Sequence, residues 1–393
     1  MLDPQVDSKL PHVGTTIFTE MSAMAQRFNA LNMSQGFPDF QPPHSLQTAV
    51  SRAMASGHNQ YAPMAGNIAL REWIAKDIET RTGAVFHPGD ELTVGAGASS
   101  LIFAAIQALV GPGDEVMVLT PCYDLYEPAI ALAGGTVIAV PLKSEGFHLD
   151  LEAISRAWTS QIRMLIVNIP NNPTGATWNR QELTGLADLV QDSNAFVLSD
   201  EVYGPMHYDG KEALSIAHEP RLHNRSIIAA SFGKVLHCTG WKIGYVAAPE
   251  TLSREIRKVH QYDVFSTGAP LQAGIVEFLS SEEGKEHMAT LAHFYATKRD
   301  RLVEGLKGSR WSLRPAEGGY FQILDYGSFD DRQDRAVTTA WCQQPEGLAL
   351  IPLSPFFPSE QEKAANRSVR ICFAKNDDTL DLGIERLWNI SES

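Results

Sequence analysis

Lys234 closes the run Ser231-Phe232-Gly233-Lys234 just beyond the apolar stretch Ser226–Ala230, and a second lysine follows in Gly240-Trp241-Lys242-Ile243-Gly244-Tyr245. An amine at the end of a buried strand, close to a hydroxyl, a glycine and another cation, can form a Schiff base with a cofactor aldehyde while its neighbours grip a phosphate. A lone S-x-x-K is also compatible with a solvated surface lysine, so the remaining chemistry-bearing residues decide the matter.

Four other segments bear on it. Gly95-Ala96-Gly97-Ala98-Ser99-Ser100 follows a strand and opens a helix, which brings backbone N–H groups up to an anion. The same loop is equally compatible with a tight turn capped by Ser99, and the absence of a following G-K-[ST] excludes a nucleotide P-loop. Asn168-Ile169-Pro170-Asn171-Asn172-Pro173-Thr174-Gly175 carries the specific string N-P-T-G, set against an ordinary Asn-Pro turn. Ser199-Asp200-Glu201-Val202-Tyr203 ends a further strand. A carboxylate there can pair with a pyridine nitrogen and keep it protonated, or simply cap a helix. Arg370, in the alternating piece Ser368-Val369-Arg370-Ile371-Cys372-Phe373, can bind a carboxylate through two parallel hydrogen bonds or face solvent. Tyr123 can stack on a planar ring, and Phe18, Tyr123, Phe265 and Phe321 are candidates for an apolar pocket, although burial in the core is the usual fate of such residues.

These residues need a sheet to position them. Short β-branched runs near Leu92–Val94, Glu115–Leu119, Thr136–Val140, Met164–Asn168, Phe196–Ser199, Ser226–Ala230 and Gly244–Ala247 alternate with helical segments at Ser99–Leu109, Asp124–Ala133 and Gln181–Gln191. That alternation predicts an α/β fold with a mainly parallel seven-stranded sheet, whose carboxyl edge collects functional residues. After about Pro270, long helices (Glu282–Leu306, Thr379–Ile390) and short strands (Tyr320–Leu324, Leu348–Ile351, Val369–Phe373) predict a smaller α+β domain. The expected organisation is an N-terminal arm over 1–45 with a helix near Thr19–Leu31, a large domain over 46–275 and a small one over 276–393.

With 393 residues and 44% hydrophobic content, the chain can bury a large core. A formal net charge of −14 argues against a phosphate-tracking nucleic-acid surface. Cys122, Cys238, Cys342 and Cys372 form no C-x-x-C pair and read as reduced thiols. No apolar run is long enough for a bilayer and no leader is evident, so neither secretion nor a membrane partner is expected. The twelve histidines form no metal motif, and Ser231 lies in no G-x-S-x-G elbow.

Taken in order, Gly36, Tyr61, G-A-G-A-S, Tyr123, N-P-T-G, Asp200 with Tyr203, S-F-G-K, Lys242 and Arg370 resemble the class I/II aminotransferases of fold type I. Gly14-Thr15-Thr16-Ile17-Phe18, the stretch Ser34 to Phe40 and Val259-His260-Gln261-Tyr262 are similar to the methionine/aromatic aminotransferase group, related to kynurenine aminotransferases and to cysteine-S-conjugate β-lyases. The resemblance implies pyridoxal 5′-phosphate carried by Lys234, with Ser231, Lys242 and the backbone of Ala98 and Ser99 on its phosphate. It places Asp200 on the pyridine nitrogen, Tyr203 and Asn172 on the 3′-oxygen, and Tyr123 on the ring face, with a cis bond between Asn172 and Pro173. Arg370, Gly36 and Asn172 would meet the substrate carboxylate, and Phe18 and Phe265 its side chain. Tyr61 would reach the phosphate across a homodimer interface. Many relatives are acidic where this chain has Ser100. The implied activity is ping-pong transfer of an amino group from methionine or an aromatic L-amino acid to a 2-oxo acid, in the cytoplasm. A β-lyase or a non-catalytic regulatory module on the same fold are the alternatives.

Overall fold

The computed structural model describes residues 7–358, 361 and 367–392. Its strands are β1 (Leu31–Asn32), β2 (Leu92–Gly95), β3 (Glu115–Thr120), β4 (Thr136–Pro141), β5 (Ile162–Asn168), β6 (Phe196–Asp200), β7 (Ser226–Ser231), β8 (Gly244–Ala247), β9 (Phe321–Asp325), β10 (Leu348–Ala349), β11 (Ile351–Pro352) and β12 (Ser368–Cys372). β2 to β8 form the expected seven-stranded sheet in the order β2-β8-β7-β6-β5-β3-β4. Only β8 runs against its neighbours, pairing antiparallel with both β2 and β7. The central strands are apolar along nearly their whole length because helices cover both faces.

One apolar layer is built around the helix Gly97–Leu109, with Leu101, Ala105 and Ile106 packed against Val116, Val118 and Ile166. The opposite layer includes Met117, Leu165 and Val167 from the alternate positions of the same strands. The helix Arg180–Val190 starts in a capping box, in which Asn179 accepts from the Glu182 amide and Glu182 accepts from the Asn179 amide.

A three-stranded antiparallel sheet, β11-β12-β9, carries Arg370 opposite Ile323 and Ile351. The N-terminal arm is tied to this region through the parallel pair β1-β10 and through the helix Ile17–Phe28, whose Ile17, Met21 and Ala25 pack with Ile351, Leu353 and Phe356.

Several sequence expectations are corrected. The single strand expected at Leu348–Ile351 is two, one paired with the arm and one with β12. The run is apolar throughout and buried throughout, so it has no alternation to mark where it changes partner. The arm helix ends at Phe28 rather than Leu31, because Asn29 turns left-handed (φ 51°) and the chain enters β1. The helix expected from Asp124 starts at Tyr126, after Tyr123 and Asp124 have turned from the sheet edge. Ser99 is not an N-cap; its helix opens two residues earlier, behind Ala96.

Among the described residues, no helix is long and apolar enough to cross a membrane, and no cluster of His, Cys, Asp or Glu is arranged to hold a metal. All four cysteines are unpaired.

Candidate active site

The carboxyl ends of the parallel strands converge on one cavity of about 320 Å³. Register explains the convergence: Asn168 at the end of β5 lies opposite Asp200 at the end of β6, and Ser231 at the end of β7 lies opposite Gly244 of β8. Three residues past Ser231, a single helical turn brings Lys234 into the same space.

Asp200 is buried, and burial pushes its carboxyl up to about 6. Two bonds oppose that rise: the Tyr126 hydroxyl donates to Oδ2 at 2.7 Å and the Val202 amide donates to Oδ1 at 3.3 Å. At neutral pH the group is therefore a buried carboxylate. Lys234 is lowered to about 8, first by burial, with Arg370 and Lys242 adding repulsion. Its amine is thus far closer to its neutral, nucleophilic form at physiological pH than a surface lysine is. Its Nζ donates to the Gly36 carbonyl at 3.2 Å and lies 5.7 Å from the ring centres of Tyr203 and Tyr320. Burial raises the Tyr203 hydroxyl far above its ordinary range, so it stays protonated and can donate.

Arg370 is almost fully buried, with its guanidinium 3.9 Å from the Phe321 ring centre and 5.1 Å from those of Phe18 and Phe356. Burial lowers it to about 10, which still leaves it cationic at neutral pH. Nη1 donates to Asn172 Oδ1 at 2.7 Å and Nη2 to the Ser34 carbonyl at 3.0 Å, while Nε has no hydrogen-bond partner among the described residues. Because the Asn172 oxygen accepts from Arg370, its amide NH₂ remains available as a donor. Asn172 is fixed further by its backbone N–H to Asn168 Oδ1 (2.6 Å), and its bond to Pro173 is cis, as expected.

The far end of the cavity is an anion cradle. The helix Gly97–Leu109 has no side-chain cap, so its first-turn N–H groups keep their donors free of one. Gly97 sits at φ +77°, and a Cβ there would lie 3.3 Å from Lys242 Nζ; one on Gly244 would come within 2.5 Å of the Ala98 nitrogen. Close backbone approach is thus built into both glycines. Ala98, Ser99, Ser231, Thr239 and Lys242 line this end. A cofactor with an anionic group, an aldehyde and a protonatable ring nitrogen fits the donor set: the cradle, Lys234 and Asp200 respectively.

Gly36, Phe18, Tyr123 and Phe321 also line the cavity, with Asn172, Tyr203 and Arg370. Tyr61 and Phe265 are not brought to this cavity within one chain. They pack edge to face, ring centres 5.5 Å apart, at 85% and 44% exposure. Ser100 bonds back to the Gly97 carbonyl within its own helix.

Sequence reasoning missed Tyr126, Ser34 and Phe37. Tyr126 is buried in the core at the start of its helix, and the one signal in the chain was a second tyrosine three residues after Tyr123. Tyr126→Phe deletes the bond that holds the Asp200 carboxyl down. The expected result is an upward shift of the acidic limb of the kcat–pH profile, with roughly a tenfold loss of kcat on that limb. An unmoved limb would remove Tyr126 from this role.

Comparison with known proteins converges on one group. The family described as aminotransferase class I and II matches residues 29–387. A methionine aminotransferase of Escherichia coli K12 is 42% identical over 380 residues, 97% of each chain. A solved Escherichia coli structure identified with a methionine aminotransferase function superposes with a TM-score of 0.92 at 42% identity, covering 99% of this chain and 100% of that one. The structure of N-succinyldiaminopimelate aminotransferase from Mycobacterium tuberculosis gives a TM-score of 0.93 at 37% identity, covering 98% and 100%.

Proposed function

Because this chain belongs to the class I and II aminotransferases, we propose that its cavity binds pyridoxal 5′-phosphate and moves the amino group of an apolar amino acid, methionine or an aromatic one, to a 2-oxo acid. The observation that carries this reading is the meeting of a buried lysine, a buried carboxylate, an anion cradle and a buried arginine in one space. When bound, the cofactor supplies an electron sink that stabilises the carbanion left by loss of a substrate α-proton.

The protein's own residues do the rest. Lys242, Ser231 and the amides of Ala98 and Ser99 would hold the phosphate, and Asp200 would keep the ring nitrogen protonated. Tyr123 would cover the ring, while Tyr203 and Asn172 would donate to the 3′-oxygen. Arg370, with the Gly36 segment and Asn172 beside it, orients the substrate carboxylate so that the α-hydrogen faces Lys234. Lys234, lowered to about 8, would take that proton as a general base and hold it on Nζ, ready to give it back as a general acid. Two half-reactions through the same residues give ping-pong kinetics.

The donor preference is supported by the walls. Phe18, Phe37, Ile102, Tyr123 and Phe321 surround the space left beside Arg370. Arg370 is the one guanidinium among the described lining residues, so a second carboxylate on the donor would find no equivalent partner. The exposed pair Tyr61 and Phe265 is the piece that a homodimer would deliver to the partner's cavity, Tyr61 to the phosphate and Phe265 to the substrate wall. The lyase and regulatory alternatives gain no observation of their own.

Arg370→Ala tests the assignment of the carboxylate site. Truncating a buried cation that orients its ligand is expected to lower kcat/KM roughly a hundredfold for every amino-acid donor. Wild-type kinetics in that variant would remove Arg370 from the site.

A further inference from the structure

Lys375 lies just past β12 and is 97% buried, counting from its 3% exposure. Its Nζ meets backbone oxygen and an aromatic face: it donates to the Phe37 carbonyl at 2.8 Å and the Gln35 carbonyl at 3.4 Å, and lies 5.2 Å from the Phe37 ring centre. No carboxylate among the described residues stands within ion-pair distance of it. Burying a lysine amine without a counter-ion is costly, so what it holds matters.

What it holds is the segment Gln35-Gly36-Phe37. The segment bends here rather than running as a strand, and its three carbonyls are held separately. Here Gln35 and Phe37 turn theirs to Lys375, and Gly36 turns its own the other way, to Lys234 at 3.2 Å and to the Tyr320 hydroxyl at 2.8 Å. Two lysines from different parts of the fold thus grip three consecutive carbonyls from both sides. The next residues are fastened too: the Asn376 amide donates to Asp39 Oδ1 at 2.6 Å. There is little room for adjustment at Gly36, since an added Cβ would come within 2.8 Å of the Phe321 ring.

We propose that Lys375 is a positioning residue for the amino donor, clamping the arm segment Gln35–Phe37 from behind so that Gly36 faces Lys234 and the half-exposed Phe37 ring stands as one wall of the cavity. Lys375 touches neither the cavity nor the reacting atoms; it acts through the loop. The inference rests on reading the cavity as the donor site, and it adds a determinant of donor affinity outside that site.

The test uses Lys375→Met, which keeps a long apolar stem, in the cofactor-loaded enzyme. Two quantities are read: the donor KM and kcat with methionine, and amide hydrogen exchange over 33–40 against 226–247 by mass spectrometry. Loss of a buried hydrogen-bonded lysine predicts about tenfold faster exchange over 33–40 only, and a donor KM raised about tenfold with kcat within about threefold. Unchanged exchange in that segment overturns the proposal, as does faster exchange across both segments with kcat and KM falling together, which would mark a general structural role. If the variant does not fold, Phe37→Ala decides: a methionine KM raised at least about fivefold at near-constant kcat supports the clamp's target, and an unchanged KM overturns it. Wild-type inactivity with every apolar donor would overturn the donor reading instead, and the exchange result stands apart from it.

Discussion

Lys234→Ala, loaded with pyridoxal 5′-phosphate, is expected to lose roughly 10⁴-fold in kcat while still binding the cofactor without a covalent link. The size follows from two roles in one amine, attachment of the aldehyde and transfer of the α-proton, and no other described amine combines burial with this position. Lys242 is the nearest alternative, but it is committed to the cradle, where its Nζ lies against Gly97. Borohydride should fix the cofactor to the wild-type protein and leave the variant unlabelled. Turnover within tenfold of wild type would show that another group moves the proton.

Asp200→Asn should come next in size, roughly 10³-fold in kcat with a much smaller change in KM. The amide keeps the shape and can still accept from Tyr126, but it cannot hold a proton on a ring nitrogen by charge. The carboxyl's place on its own titration matters here. Burial raises it to about 6, so it is ionised at pH 7 and protonates as the pH falls through that value. The sign for stability is the reverse of a salt-bridged aspartate: with its folded value above the unfolded one, Asp200 costs stability as pH rises from about 4 to 6. The protein carries that cost at the position proposed to hold the ring nitrogen's proton. A variant that was fully active at residue 200 would refute the electronic role.

The seven strands were legible because each is a short β-branched run bounded by turn residues, and the order of motifs along them was legible because each ends a strand on the same edge. Other features were not. The break between β10 and β11 lies in Leu348-Ala349-Leu350-Ile351, where every residue is buried and tertiary pairing alone decides the partner. The Tyr126 bond to Asp200 spans 74 positions, and a buried tyrosine announces no partner in advance. Lys375 carries no signal of its own in the sequence, since only the folded arm reveals that its amine ends on two carbonyls. Tyr61 and Phe265 illustrate the converse: the resemblance put Tyr61 at a phosphate and its type made Phe265 a pocket candidate, and one chain by itself leaves them facing solvent.

The most direct measurement of the central claim is a single-turnover reaction of the pyridoxal-phosphate-loaded protein with methionine, followed by absorbance and by product assay. Transamination predicts one 2-oxo acid released per active site, stoichiometric conversion of the cofactor to its amine form, and restoration of the starting spectrum by an added 2-oxo acid. Release of ammonia without amine-form cofactor, or no spectral change with any amino acid, would contradict it.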